Sequence, residues 1–236
     1  MRNKWMAVVL SFLLILSGCA FEVELYLRPP QAQGQQQAVL TALEAAMEKK
    51  GTASDGYVLK YPRGGMTASP FMMFDADGLQ TVTDNAVLAV AFYAPRGGGN
   101  THIHLLRREG AGWHSAADTV GEGTDIDKVL SGDLDGDGTP ELLVGWSVYG
   151  KAHLLSVYRL QGDTLNMTDA GRYTDCFAGD MNDDGRDELV LLHIDNKTVT
   201  ATLSAWTPQT ISVLGTVNLD STIVSFEKLL YGKLSN

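Results

Sequence analysis

An acidic, glycine-containing stretch occurs twice in this chain, and it constrains the fold more than any other feature. The copies occupy residues 132–141 and 179–188, and a short apolar run follows each. Counted from the first Asp of each loop, positions one, three, five and nine carry side-chain oxygens, on Asp133, Asp135, Asp137, Glu141, Asp180, Asn182, Asp184 and Glu188. Because alternate oxygens on a tight turn converge on one hard cation, the duplication predicts two calcium (Ca²⁺) sites.

Two other loop positions agree with calcium. The ion also takes a backbone carbonyl, which position seven would supply from Thr139 in the first loop and Arg186 in the second. Position six is glycine in both copies, Gly138 and Gly185, and glycine turns sharply without a Cβ penalty. The alternative is a pair of Asp- and Gly-rich surface turns that cap strands without binding a metal.

An EF-hand does not fit these loops. Its calcium loop needs a bidentate Glu at position twelve, where this chain has Val144 and Leu191. The residues that follow each loop are apolar over a short run, which predicts a buried strand rather than a long helix. The dockerin type of calcium loop fails for the same reasons.

The two segments resemble the FG-GAP or VCBS-type repeat, whose Asp-rich loop precedes a strand in the blades of a β-propeller, as in the integrin α-subunit head. The resemblance implies that the calcium ligands are the eight side chains named above. It also implies an all-β fold, a partial β-propeller of about three to four four-stranded blades within residues 53–236. Such repeats serve adhesion, sugar binding and scaffolding, so the fold alone does not fix the activity.

The N-terminus has the features of a secretory signal. Arg2 and Lys4 precede an apolar run, residues 5–16, which is shorter than the about 20 residues of a membrane-spanning helix. The Leu-Ser-Gly-Cys ending at Cys19 resembles the bacterial lipobox, which implies that residues 1–18 are a lipoprotein signal peptide and that Cys19 carries the lipid. The expected location is the extracytoplasmic face of the cell membrane. The alternative is an ordinary signal peptide with a coincidental cysteine.

A tether and a helix follow the signal. Residues 19–34 contain Pro-Pro and a Gln-rich run, which favour an extended, lipid-anchored linker. Residues 35–52 are predicted to form a short helix, because apolar residues recur there at spacings of three and four from Val39 to Met47. The apolar stripe is expected to cap the sheets. A strand is expected over residues 57–63.

The repeat recurs at a period of about 50 residues, which is typical of propeller blades. Residues 75–78 are a degenerate first copy that offers only Asp75 and Asp77, so little or no calcium is expected there. Residues 231–236 partly match the start of a further copy. Since propellers close with four to eight blades, we expect a propeller truncated at the C-terminus. The alternatives are an open arc of blades or closure by another chain.

Composition and motifs exclude several functions. The formal net charge of −10 argues against nucleic acid as a partner. Cys176 is the only cysteine besides Cys19 and is expected to be a buried, inert side chain. His102 and His104 lie two apart on a predicted strand and so face one side of a sheet. Without an evident third ligand, zinc is a minor alternative to solvated histidines.

No nucleophile elbow, phosphate loop or zinc-protease motif appears in the sequence, so no enzymatic activity is expected. The expected function is that of a lipid-anchored surface protein that binds or scaffolds an extracellular protein or glycan. The alternative is a carbohydrate- or peptidoglycan-associated accessory module, in which Trp113, Trp146 or Trp206 would stack on sugars rather than pack between blades. A hydrolase with an unrecognised site is a third, weaker hypothesis.

Overall fold

The structure is a computed structural model that describes residues 34–49, 56–62, 71–76, 81, 84–147, 153–195, 198–207 and 210–220. Contacts divide the chain between Gln31 and Ala32, and every described residue belongs to the second unit. This part of the chain is mostly β, as predicted, and it consists of one helix followed by three antiparallel sheets.

The helix, α1 (Gln35–Lys49), buries one stripe of side chains. Val39, Leu43, Ala46 and Met47 are the buried residues, and their spacing of three and four places them on a single face. This face packs against the first sheet, with Phe71 and Met73 among its neighbours. Residues 50–52, the remainder of the predicted helix, lie outside the described residues.

The strands follow in chain order. Their bounds are β1 (Tyr57–Leu59), β2 (Phe71–Phe74), β3 (Leu88–Pro95), β4 (His102–Glu109), β5 (Gly112–Val120), β6 (Asp125–Gly132), β7 (Glu141–Ser147), β8 (His153–Gln161), β9 (Thr164–Tyr173), β10 (Asp175–Gly179), β11 (Glu188–Asp195), β12 (Thr198–Trp206) and β13 (Ile211–Asp220).

The first sheet has five strands. Its path is β1-β3-β4-β5, and β2 also pairs with β3. Tyr57 lies opposite Pro95 and Phe71 lies opposite Ala91, so β1 and β2 share one edge of β3, one after the other. The strand that the sequence predicts over residues 57–63 is shorter in the structure, where β1 ends at Leu59.

The second and third sheets are simple antiparallel meanders of four strands each. The second sheet runs β6-β7-β8-β9 and the third runs β10-β11-β12-β13. Within the described ranges none of the three sheets closes on itself. Residues 221–236, which contain the expected start of a further unit, lie outside the described residues.

The three sheets pack against one another in chain order. One apolar core joins the first sheet to the second and includes Phe92 and Trp146, both fully buried. Another joins the second sheet to the third and includes Leu143 and Leu191. Neighbouring residues of β7 enter opposite cores, because side chains alternate along a strand. This double burial explains why an unbroken apolar run follows the first acidic loop.

Candidate functional site: the paired acidic loops

Each acidic loop connects the first strand of a sheet to the second. Residues 133–140 join β6 to β7, and residues 180–187 join β10 to β11. In both cases a strand follows the loop, which agrees with the exclusion of an EF-hand. The loops therefore have corresponding places in two consecutive sheets of the same topology.

The hydrogen bonds inside the first loop organise its carboxylates. Asp133 accepts from the backbone N–H groups of Gly136 (2.8 Å) and Gly138 (2.9 Å). Asp137 accepts from Thr139 N–H at 2.8 Å. Glu141, at the start of β7, accepts from Leu134 N–H at 2.9 Å and so closes the loop onto the strand.

The second loop repeats these contacts position for position in most cases. Asp180 accepts from Gly185 N–H at 2.9 Å, and Asp184 accepts from Arg186 N–H at 2.9 Å. Glu188 accepts from Met181 N–H at 2.9 Å. Two stretches of different sequence therefore adopt closely similar turns, held by the same side-chain positions.

The turn geometry explains the glycine at position six. Gly138 has a φ of 83° and Gly185 a φ of 84°, and this left-handed region is disfavoured for residues with a Cβ. Position four is also left-handed, with Gly136 in the first loop and Asp183 (φ 60°) in the second. Asp is one of the few non-glycine residues enriched there.

Three carboxylates of the first loop converge. Ligand oxygens of Asp133, Asp135 and Glu141 all lie within 4.8 Å of one another, and no other group of three such side chains within the described ranges meets this criterion. Calcium binds oxygens at 2.3–2.6 Å, so ligands on opposite sides of the ion are separated by about 5 Å. The donor set and its size therefore fit a hard divalent cation.

A guanidinium also reaches this cluster. Arg159 near the end of β8 forms an ion pair with Asp135, lies 3.4 Å from Asp137 (Nη2 to Oδ2) and lies 3.9 Å from Glu141 (Nε to Oε1). Burial raises the pKa of the Glu141 carboxyl to about 7, and the charges of Asp135 and Asp137 add to the shift, whereas Leu134 N–H and Arg159 oppose it.

In the second loop an amide side chain, rather than a guanidinium, contacts the carboxylates. The Asn182 side-chain amide donates to Asp184 Oδ2 at 3.0 Å and to Glu188 Oε1 at 2.8 Å. Asn182 replaces the first loop's Asp135, so this loop has one carboxylate fewer among its four predicted ligand positions. A rotation of the amide would exchange its nitrogen for its oxygen and supply the ligand that a cation requires.

The two loops are joined to each other through Asp187. Its carboxylate accepts from Asp133 N–H at 2.9 Å, and its own N–H donates to the Asp133 carbonyl at 2.9 Å. The Arg186 side chain packs against Gly136, where an added Cβ would lie 2.8 Å from the Arg186 side chain. The two acidic loops are therefore in direct contact.

The remaining predicted site residues fall in two groups. Thr139 and Arg186 occupy position seven, and their backbone N–H groups bind Asp137 and Asp184. Cys19 lies outside the described residues, and of the degenerate copy at residues 75–78 only Asp75 and Ala76 lie within them.

A second polar cluster lies on the first sheet, where the sequence showed only two histidines. Asp118 pairs across the strands with His104. Its carboxylate lies 3.4 Å from His102 Nδ1 and 3.7 Å from His104 Nδ1, and it accepts from Tyr93 Oη at 3.0 Å. His104 is fully buried, so the prediction of a solvated histidine is wrong at this position. One ligand atom from each of Asp118, His102 and His104 cannot be chosen so that all three lie within 4.8 Å of one another, so this cluster is a weaker candidate for a metal.

The structure shows how far the three tryptophans and Cys176 are buried. Trp146 is fully buried between the first two sheets, and Trp113 is buried beside α1, so neither offers a stacking surface to a sugar. Trp206 packs partly against the core between the second and third sheets. Cys176 is buried, as predicted, and burial raises the pKa of its thiol to about 12.

The described part of the chain is thus mostly β, with three open antiparallel sheets and two linked acidic loops. Comparison of the chain with protein-family models and with curated proteins finds no match. Within the ranges that the structure describes, no helix has the length and apolar character needed to cross a membrane.

Proposed function

We propose that this chain is a lipid-anchored cell-surface protein without enzymatic activity, whose sheets are blades of a partial β-propeller and whose acidic loops bind calcium. Its role is to bind or scaffold an extracellular protein or glycan. The observation that carries the proposal is the pair of matching loops, which connect the first two strands of consecutive sheets and are joined through Asp187.

The propeller part of the proposal is supported by topology. The second and third sheets are four-stranded meanders, they follow one another in chain order, and each pair of adjacent sheets shares an apolar core. Such repeated layers are expected of blades. The anchor is supported by the sequence of residues 1–19, which resembles a lipoprotein signal.

Calcium would act as a counter-ion and a cross-link. In the second loop the ligands would be Asp180, Asn182, Asp184, the Arg186 carbonyl and Glu188. Glu188 is buried, and an ionised carboxylate in such a place is costly unless a cation or hydrogen bonds compensate it. Bound calcium would therefore lower the free energy of the folded state.

The experiment is a thermal unfolding series of the full chain in detergent, with EDTA, 1 mM CaCl₂ or 1 mM MgCl₂. With a dissociation constant of about 10⁻⁴ M, typical of extracellular calcium modules at their tighter end, one filled site adds about 1.4 kcal/mol. In a domain of this size that corresponds to a rise in Tm of roughly 3–5 °C.

Asp184→Ala should remove the calcium-dependent rise at the second loop. The matched control is Asp163→Ala, which removes an exposed carboxylate from the β8–β9 turn and should leave the rise unchanged. Equal Tm values in EDTA and CaCl₂ would contradict the calcium proposal. The anchor is tested separately, because Cys19→Ala should move the protein from the membrane fraction to the soluble fraction of a bacterial host.

A further inference from the structure

We propose that Arg159 is a built-in counter-ion that makes the two loops unequal, so that calcium fills the second loop at concentrations that leave the first loop largely unfilled. This inference rests on the proposed function, because it concerns which of the two loops takes the cation. It assigns a selectivity role to a residue outside both acidic motifs.

Arg159 contacts the carboxylates that a cation would need. Its guanidinium is ion-paired with Asp135 and lies close to Asp137 and Glu141. The Asp135 side chain is only 8% exposed, and its Oδ2 has no hydrogen-bond partner. That oxygen is therefore compensated by the charge of Arg159 rather than by a well-aligned hydrogen bond. The guanidinium keeps its charge at any pH at which the protein is folded.

The strand register fixes Arg159 in this position. Leu142 of β7 pairs with Tyr158 of β8, so the next residues toward the loop, Glu141 and Arg159, are cross-strand neighbours. Side chains directly opposite on antiparallel strands lie about 5 Å apart at Cβ. Two paired strands therefore set the position from which the Arg159 side chain reaches the loop.

The corresponding position in the third sheet holds no charge. Leu189 of β11 pairs with Ser204 of β12, so the residue that corresponds to Arg159 is Ala205. Within the described part of the chain, no Lys or Arg forms an ion pair with Asp180, Asp184 or Glu188. The nearby Arg186 side chain is instead packed on Gly136 of the first loop.

The consequence is a difference in calcium affinity. Before the first loop can coordinate calcium, the Arg159 guanidinium must move away from the loop carboxylates, which include the largely buried side chain of Asp135. The guanidinium must then be solvated by water. Separating an ion pair that includes a buried carboxylate is costly, whereas the second loop needs a rotation of the Asn182 amide, which exchanges its two hydrogen bonds for an oxygen ligand. We expect at least a tenfold weaker affinity for calcium at the first loop.

The test is calcium-45 flow dialysis of the full chain in detergent, over CaCl₂ concentrations that saturate only the tighter site of the unmodified protein. The unmodified chain should bind one calcium in this range. Arg159→Gln should bind two. Ala205→Arg, which introduces the missing guanidinium beside the second loop, should lose the tight site. The matched control Arg172→Gln removes an exposed charge from the far end of the second sheet and should still bind one.

Thermal unfolding in EDTA verifies that each variant folds, and Arg159→Gln should also gain more in Tm from calcium than the unmodified chain does. Two equivalent sites in the unmodified chain, unchanged in Arg159→Gln, would overturn the inference and leave the proposed calcium binding intact. If the unmodified chain binds no calcium and Arg159→Gln binds one, Arg159 blocks the first loop as proposed, and calcium binding at the second loop is refuted. No binding in any variant would refute both.

Discussion

The bridge between the acidic loops can be removed at a single side chain. Asp187 binds Asp133 twice, once through its carboxylate and once through its own backbone N–H, each at 2.9 Å. Asp187→Ala removes the carboxylate contact and leaves the backbone contact in place. The half-buried Asp133 N–H then loses its acceptor.

The expected loss of stability follows from the kind of bond. Hydrogen bonds to charged groups contribute roughly 1.5–3 kcal/mol, and solvent access to this half-buried contact favours the lower part of that range. Asp187→Ala should therefore reduce the free energy of unfolding by about 1.5–2 kcal/mol, which corresponds to a fall in Tm of roughly 3–8 °C. Asp187→Asn keeps an oxygen acceptor and should lose about 0.5–1 kcal/mol, close to the value of a neutral bond.

The assay is urea unfolding of the full chain in detergent and EDTA, followed by tryptophan fluorescence, so that calcium does not contribute. Asp163→Ala is the control, because its exposed carboxylate pairs with Arg107 at the surface, and such pairs contribute little. The reasoning fails if neither Asp187 variant differs from the unmodified chain by more than about 0.5 kcal/mol. If the Asn variant loses as much as the Ala variant, the charge rather than the acceptor is what matters.

Three further predictions concern the core and the titratable groups. Gly121→Ala would place a Cβ 2.2 Å from the fully buried Trp146 ring, so urea unfolding should show a loss of about 1–3 kcal/mol or more, whereas Gly97→Ala, with open space around it, should show little change. The Cys176 thiol is buried with its pKa raised to about 12, so a disulfide reagent should modify it only in urea, and rapid modification of the folded protein would contradict its burial. Because burial raises the pKa of Glu141 from 4.5 to about 7, its stabilising contribution in EDTA is present below pH 4.5 and is lost as the pH rises through about 7. Glu141→Gln should make stability less dependent on pH across this window, and an unchanged profile would show that Glu141 is not the group responsible.

The local features of the fold were predictable because their determinants lie close together in sequence. The position-six glycines, the strands after the loops and the apolar stripe of α1 all follow from spacings of a few residues. β5 and β6 were not predicted. β5 has no regular alternation of apolar residues and only Trp113 is buried in it, and β6 carries a bulge near Lys128 that interrupts a simple alternation.

The cross-strand partners could not be predicted, since they depend on register. Arg159 lies beside Glu141, and Asp118 lies opposite His104, only because the strands pair as they do. The contact of Asp187 with Asp133 requires two adjacent sheets to be aligned. One sequence difference does point to Arg159. The third strand of the second sheet has an arginine near the acidic loop, whereas the corresponding residue of the third sheet is Ala205.

The two loops show that the same turn can form with its charged side chains arranged differently. Both begin their second strand with a buried glutamate, Glu141 or Glu188, whose carboxylate closes the loop through a backbone N–H. A buried carboxylate near other acids requires compensation. The first unit supplies it from the third strand of its sheet, through Arg159, whereas the second has the neutral Asn182 in place of Asp135 and Ala205 at the position of the arginine. The carboxylates of the first loop are therefore compensated by a guanidinium of the protein itself, whereas within the described residues no Lys or Arg pairs with the predicted ligands of the second loop, which would gain more from a cation taken from the solvent. If calcium regulates this protein, the second loop is therefore where its concentration would be sensed.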